Sequence, residues 1–200
     1  MKQVLGVLVF CFSVSSFAQL QLGQPSYGGN GCPQGSASVS LSDDHKTMSV
    51  LFDQFAAEAG STTGRRVDRS SCNLRIPVRV AAGYSVSIIH TDYRGYAAVP
   101  GGGGAYANFS SEFFFAGQGR GVKTTKRING PMADAFTISS DVTASAWSPC
   151  GGDVILAVNT SAMAMANSAM QQTMMIVDSM DMASQNLGLN YSLSFRRCTR

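Results

Sequence analysis

The sequence predicts an all-β protein, a single-domain antiparallel β-sandwich or jelly roll held by two disulfides. Three observations predict it. Apolar residues recur at period two in short runs, glycine and proline clusters separate those runs, and four cysteines remain once an N-terminal leader is set aside. At 200 residues one core suffices. The chain is 44% hydrophobic and 14% charged, too apolar and too weakly charged to stay disordered. Its formal net charge of +3 is far from the basic excess of a dedicated nucleic-acid binder, so no nucleic acid is expected as a partner.

Residues 1–18 read as a signal peptide. Lys2 supplies the positive start, Val4 to Phe17 the apolar stretch, and Ser16-Phe17-Ala18 the small residues of a cleavage site after Ala18. The apolar stretch is shorter than the roughly 20 residues of a spanning helix, and no later segment supplies them. No transmembrane segment is therefore expected, and the mature protein is expected to be secreted or periplasmic. Cys11 falls inside the leader behind Phe10, where a lipid attachment signal would need a small residue. Residues 19–31, rich in Gly, Gln and Ser, read as a flexible N-terminal arm ahead of a β-sandwich domain over 32–200.

Cys32, Cys72, Cys150 and Cys198 are an even set in a chain bound for an oxidising compartment, which reads as two disulfides. Zinc is the weaker reading: there is no C-x-x-C pair, and His45 and His90 are far from any cysteine in sequence. Three pairings remain open. A hairpin over residues 36–55 would bring Cys32 and Cys72 to the same end of neighbouring strands, which favours Cys32 with Cys72 and Cys150 with Cys198. Each bridge would contribute about 3 to 4 kcal/mol by restricting the unfolded chain.

Along the chain, Val39 and Leu41 lead into the turn Ser42-Asp43-Asp44-His45, after which Met48, Val50 and Phe52 recur at period two with Ser49 and Leu51 between them. That is the hairpin. Further strands are predicted over Leu74 to Val80, Tyr84 to His90, Phe109 to Phe115, Phe136 to Val142, Val154 to Thr160 and Leu189 to Phe195. Gly83, the Gly101 to Gly104 run, Gly117 to Gly121, Gly130-Pro131 and Pro149 to Gly152 break them. Residues 161–172 are read as a strand, a loop and another strand rather than a helix, because strong β-formers flank them. Such punctuated strands without a longer repeat suggest a sandwich or jelly roll rather than a propeller or solenoid.

Gly31-Cys32-Pro33, Asp92-Tyr93-Arg94-Gly95-Tyr96, Gly130-Pro131, Trp147-Ser148-Pro149-Cys150-Gly151, Asn159-Thr160-Ser161, Asp178-Ser179-Met180-Asp181 and Cys198 occur in an order and spacing that resembles the secreted family known as domain of unknown function 4360. The likeness runs from about residue 31 to 198. It implies a small secreted, cysteine-bridged protein, and it brings no activity and no site. The Met-rich stretch from 163 to 175 departs from that pattern.

Catalytic groups are thin. No G-x-S-x-G holds a nucleophilic serine, and cysteines in disulfides supply no thiolate. His45 and His90 would have to pair as acid and base for a nuclease, and a glycosidase would need two of twelve acids, of which only Glu58 and Glu112 are glutamates. For metals, Asp153, Asp178 and Asp181 offer hard oxygens without the twelve-residue calcium pattern. Met163, Met165, Met170, Met174, Met175, Met180 and Met182 offer soft thioethers suited to Cu(I), although methionine more often fills core gaps. No cofactor is expected. Asn108-Phe109-Ser110, Asn159-Thr160-Ser161 and Asn190-Tyr191-Ser192 fit the N-glycosylation pattern, which matters only in a eukaryotic secretory pathway.

Recognition residues are better represented. Tyr93 and Tyr96 flank Arg94-Gly95, and Arg120, Lys123, Lys126 and Arg127 form a basic stretch beside glycines that reads as a loop. Exposed rings stack on sugars and cations attract anionic polymers. The expected function is a non-enzymatic binding or envelope-associated module whose site is Tyr93, Arg94, Tyr96, Arg120, Lys123, Lys126 and Arg127. Its expected partner is an envelope polysaccharide or another secreted protein, and the rival readings are a secreted hydrolase and a metal-binding protein using the methionines.

Overall fold

The fold is taken from a computed structural model that describes residues 20–118, 121–142, 146–177 and 188–199. The predicted leader lies outside them. Thirteen strands and no helix form among the described residues: β1 (Gln21–Leu22), β2 (Ser26–Gly28), β3 (Ala37–Leu41), β4 (Thr47–Phe52), β5 (Ala56–Ala59), β6 (Val67–Val80), β7 (Tyr84–Val99), β8 (Tyr106–Phe115), β9 (Val122–Asn129), β10 (Met132–Asp141), β11 (Gly152–Met165), β12 (Thr173–Ile176) and β13 (Gly188–Arg197). No helix there is long and apolar enough to cross a membrane.

Two antiparallel sheets face each other, as the alternation predicts. The first runs β1-β6-β11-β8-β9, with β2 also on β6. The second runs β3-β4-β13-β7-β12-β5, with β10 on β7. β13 takes the first part of β7 and β12 its end, on one side, while β10 covers His90 to Val99 on the other. Inward residues of both sheets interdigitate. In β8 these are Ala107, Phe109, Ser111, Phe113 and Phe115, and from the second sheet Met48, Val50, Phe52, Tyr93, Leu189 and Tyr191 meet them, all buried. Tyr93 packs on Phe109 at 5.0 Å between ring centroids, and Tyr191 lies edge-on to Phe113 at 5.9 Å. Burying each such ring stabilises the fold by roughly 1.5–3 kcal/mol.

Several predicted strands are longer than their apolar cores. β7 continues through the Asp92 to Tyr96 motif to Val99, and β11 continues to Met165, because small and polar residues there still occupy ladder positions. The strand, loop, strand reading of 161–172 holds, with β12 beginning at Thr173. Two expectations are corrected. Residues 20–31 are not a loose arm: β1 and β2 pair along the edge of β6, so that ladder satisfies their backbone groups. The basic stretch is not a loop, since Lys123, Lys126 and Arg127 belong to edge strand β9, where charges discourage pairing with other chains.

Cystines join Cys32 to Cys72 and Cys150 to Cys198, the favoured pairing. The β3–β4 hairpin exists, yet Cys72 lies on β6 of the opposite sheet rather than on a neighbouring strand. Its cystine ties β6 to the connection between β2 and β3. The other ties the approach to β11 in the first sheet to the exit of β13 in the second. The second cystine therefore staples the two layers together, whereas the first pins the β2–β3 connection to β6.

Candidate ligand-binding face

The Asp92 to Tyr96 motif alternates across its sheet. Tyr93 and Gly95 point inward, while Asp92, Arg94 and Tyr96 point outward and are half-buried. Tyr93 is fully buried, so it offers no ring face to a ligand; the expectation of a Tyr93–Tyr96 pair is corrected by the pleat, which separates odd from even positions. Gly95 is a close approach: a Cβ there would meet the Ile176 carbonyl oxygen and stand 2.7 Å from the Phe136 ring. Arg94 and Tyr96 share the outer face of the second sheet, whereas the basic residues of β9 are in the first sheet. The structure does not bring the two groups together. Arg120 lies outside the described residues.

The outer face of the second sheet carries a charged cluster around His90. A register shift opposite Leu193 leaves Ile89 exposed and turns His90 outward beside Asp92. His90 Nδ1 meets Asp141 at 2.6 Å and Nε2 meets Asp92 at 3.4 Å, while the Ser139 hydroxyl donates to Asp92 at 2.5 Å. The hydrogen bond to Asp141, then the bond and charge of Asp92, raise the His90 pKa above its ordinary value despite partial burial. The Ser139 bond, followed by the one to His90, holds Asp92 below the usual carboxylate range. Both ring nitrogens of His90 face carboxylates, and His45, in the β3–β4 turn, makes no hydrogen bond to it among the described residues. Glu58 and Glu112, the two glutamates, stand on the outer faces of opposite sheets and form no carboxylate pair.

The outer face of the first sheet is different in character. Register places side chains of β6, β11, β8 and β9 in rows. One row is Arg69, Met163, Asn108 and Arg127; the next is Ser71, Ser161, Ser110 and Thr125; a third is Asn73, Asn159, Glu112 and Lys123. A cleft of about 230 Å³ opens among Arg69, Met163, Asn108, Ser161, Ser110, Thr125 and Lys123. Arg69 donates to Met163 Sδ at 3.3 Å and Thr125 to Ser110 Oγ at 3.4 Å. The side chains of Asn108, Ser161 and Lys123 make no hydrogen bond among the described residues. Arg127 lies over the Tyr106 ring at the rim, 3.6 Å from its centroid.

Sequence reasoning reached Lys123 and Arg127 and missed Arg69, Tyr106, Ser110, Thr125 and Ser161. Period-two polarity in β8 and β11 was the available signal, but only the pairing register shows which polar residues stand side by side. Lys126 leaves the face, being on the alternate side of the edge strand. The methionines divide: Met163 and Met165 are half-buried on this face, Met174 lies on the outer face of the second sheet, and Met175 is buried. The described thioethers thus do not gather into one cluster. Among the described residues no group of three His, Cys, Asp or Glu is placed to hold a metal ion. Asp178, Met180, Asp181 and Met182 lie outside the described residues, and Asp153 is engaged by Arg79 at 2.8 Å.

Comparison with known proteins bears on the whole chain. An uncharacterised secreted protein of Arthroderma benhamiae is 30% identical over 176 residues, spanning 87% of this chain and 70% of that protein. Among solved structures, TmCBM61 in complex with β-1,4-galactotriose aligns over 86% of this chain and 88% of its own at TM-score 0.31 and 9% identity. The family 11 carbohydrate-binding module from Clostridium thermocellum, with a β-1,3-1,4-mixed-linked tetrasaccharide, aligns over 92% of this chain and 93% of its own at TM-score 0.20 and 9% identity. Similarity at that level carries no residue correspondence. Two cystines and a secreted relative agree on the compartment, so the protein is exported from the cytoplasm. The family model for a domain of unknown function, DUF4360, matches residues 18–198. That match reaches from the last residue of the expected leader to the last half-cystine, and the chain belongs to the DUF4360 family.

Proposed function

We propose that this protein is a secreted, non-enzymatic module that binds an envelope polysaccharide across the outer face of β6, β11, β8 and β9. One observation carries the reading: amide, hydroxyl and ammonium groups with no hydrogen-bond partner among the described residues line a cleft in an open sheet face. Solvent-facing sheet surfaces are ordinarily polar. Here the polar groups border a concavity, and Asn108 and Ser161 are half-buried, so water reaches them from one side only. A sugar chain presents hydroxyls that both donate and accept, which suits amides and hydroxyls at strand spacing.

Ser161→Trp would fill the cleft from an outward position without entering the core. Co-sedimentation of the oxidised mature protein with isolated envelope polysaccharide is expected to show pelleting that Ser161→Trp abolishes. Tyr96→Ala, on the opposite sheet, is expected to leave it intact. Loss with Tyr96→Ala and retention with Ser161→Trp would move the site to the second sheet.

A further inference from the structure

The cations of this face are of two kinds, ion-paired and not. Arg79, on the same outer face of β6, is paired with Asp153 at 2.8 Å, and Arg65, just before β6, with Asp68 at 2.8 Å. Arg69, Lys123 and Arg127 make no ion pair among the described residues, although Glu112 stands opposite Lys123 in register. Arg69 and Lys123 therefore line the cleft without an ion pair, and Arg127 stands at its rim, held by the Tyr106 ring and the Asn129 side-chain oxygen. They do not converge on one point. Arg69 and Arg127 are on strands three spacings apart, about 14 Å, and Lys123 is four residues from Arg127 along β9, about 13 Å. A single compact anion cannot reach all three, and hydroxyls and amides fill the space between them.

Resting on the binding reading above, we infer that the polymer is an acidic polysaccharide, one whose sugar rings carry carboxylates at intervals. Arg69 lies at one border of the cleft, with Arg127 and Lys123 on β9 at the other. The guanidinium of Arg69 has one nitrogen on Met163 Sδ and keeps its other donors for a carboxylate, which a planar fork binds through two parallel bonds. Asn108, Ser110 and Ser161 would serve the ring hydroxyls between charges. A polyphosphate has anions but no hydroxyls for that floor.

Polygalacturonate and its fully methyl-esterified form share one backbone and differ in charge, so they isolate the inference. Calorimetric or gel-shift titration of the mature protein is expected to favour the acid form at least about tenfold at low salt, with the gap closing near 0.5 M salt, where the Debye length falls to about 4 Å. Arg69→Gln with Lys123→Gln, both at exposed positions, is expected to bring the two forms to equal affinity while thermal unfolding stays in place. Equal affinity in the wild type would overturn the charge assignment and leave the binding module standing. Stronger binding to inorganic polyphosphate than to polygalacturonate would overturn it too. Failure of both polygalacturonate forms and of envelope polysaccharide to bind would overturn the module reading itself.

Discussion

Arg127 stacks its guanidinium on the ring of Tyr106, 3.6 Å from the centroid, one strand away and two residues along the ladder. A diagonal contact of this kind orients an otherwise flexible cation at the rim of the polar face. A double-mutant cycle with Tyr106→Ala and Arg127→Ala, read by urea unfolding, is expected to give a coupling of about 0.5–1 kcal/mol. Additive single effects would show that the stack holds nothing in solution.

His90 bridges β7 to edge strand β10 and makes stability depend on pH. Its folded pKa is raised above 6.5, so its contribution is complete below that value and is lost as pH rises through the folded one. Asp92 is lowered from 3.8, so its contribution is present above that value and lost as pH falls through the folded one. The cluster therefore supports the fold best between about pH 4 and 6.5. The Tm of the wild type is expected to decline from pH 6 to 8 more steeply than that of His90→Gln. Parallel declines would remove His90 as the cause.

Each cystine closes a long loop, with sequence separations of 40 and 48 residues. Restricting the unfolded chain over loops of that size corresponds to about 4 kcal/mol apiece. Cys32→Ser with Cys72→Ser, or Cys150→Ser with Cys198→Ser, is expected to lower stability by about 2–5 kcal/mol in denaturant titrations. A loss under about 1 kcal/mol would mean the reduced chain already holds those ends together.

Tyr93 is a core ring whose hydroxyl, like that of Tyr191, is buried without a hydrogen bond of ordinary geometry. The two phenols face each other and Ser111, and burial pushes the Tyr191 phenol well up. Tyr93→Phe removes a buried hydroxyl that makes no hydrogen bond of ordinary geometry and is expected to be neutral or stabilising, whereas Tyr93→Ala opens a cavity at a cost of about 3–5 kcal/mol. Chemical denaturation of both variants separates the two effects. A large loss with Tyr93→Phe would reveal a partner for the hydroxyl.

Gly95 is required by proximity rather than by backbone angle. Gly95→Ala would drive a methyl into the Ile176 carbonyl and the Phe136 ring, and is expected to cost about 1–3 kcal/mol through the β10–β7–β12 contact. Unchanged Tm would show that β12 gives way there.

By itself the sequence determined the class of this protein. An expected leader followed by four cysteines implies two cystines, and strict alternation in segments such as Phe109 to Phe115 implies strands with one buried face, because side chains of a strand point to opposite sides by turns. It also located most breaks at glycines. Only the tertiary structure decided which outward residues stand together. Arg69, Asn108, Ser161 and Lys123 are dispersed over more than 90 residues of chain and meet through the register of four paired strands, a relation that local periodicity does not encode. The same pleat separated Tyr93 from Tyr96 and Lys126 from Arg127. Runs read as recognition motifs along the chain were therefore divided between core, cleft and opposite faces, because the ligand-facing unit of a sheet is a row across strands and not a word along one.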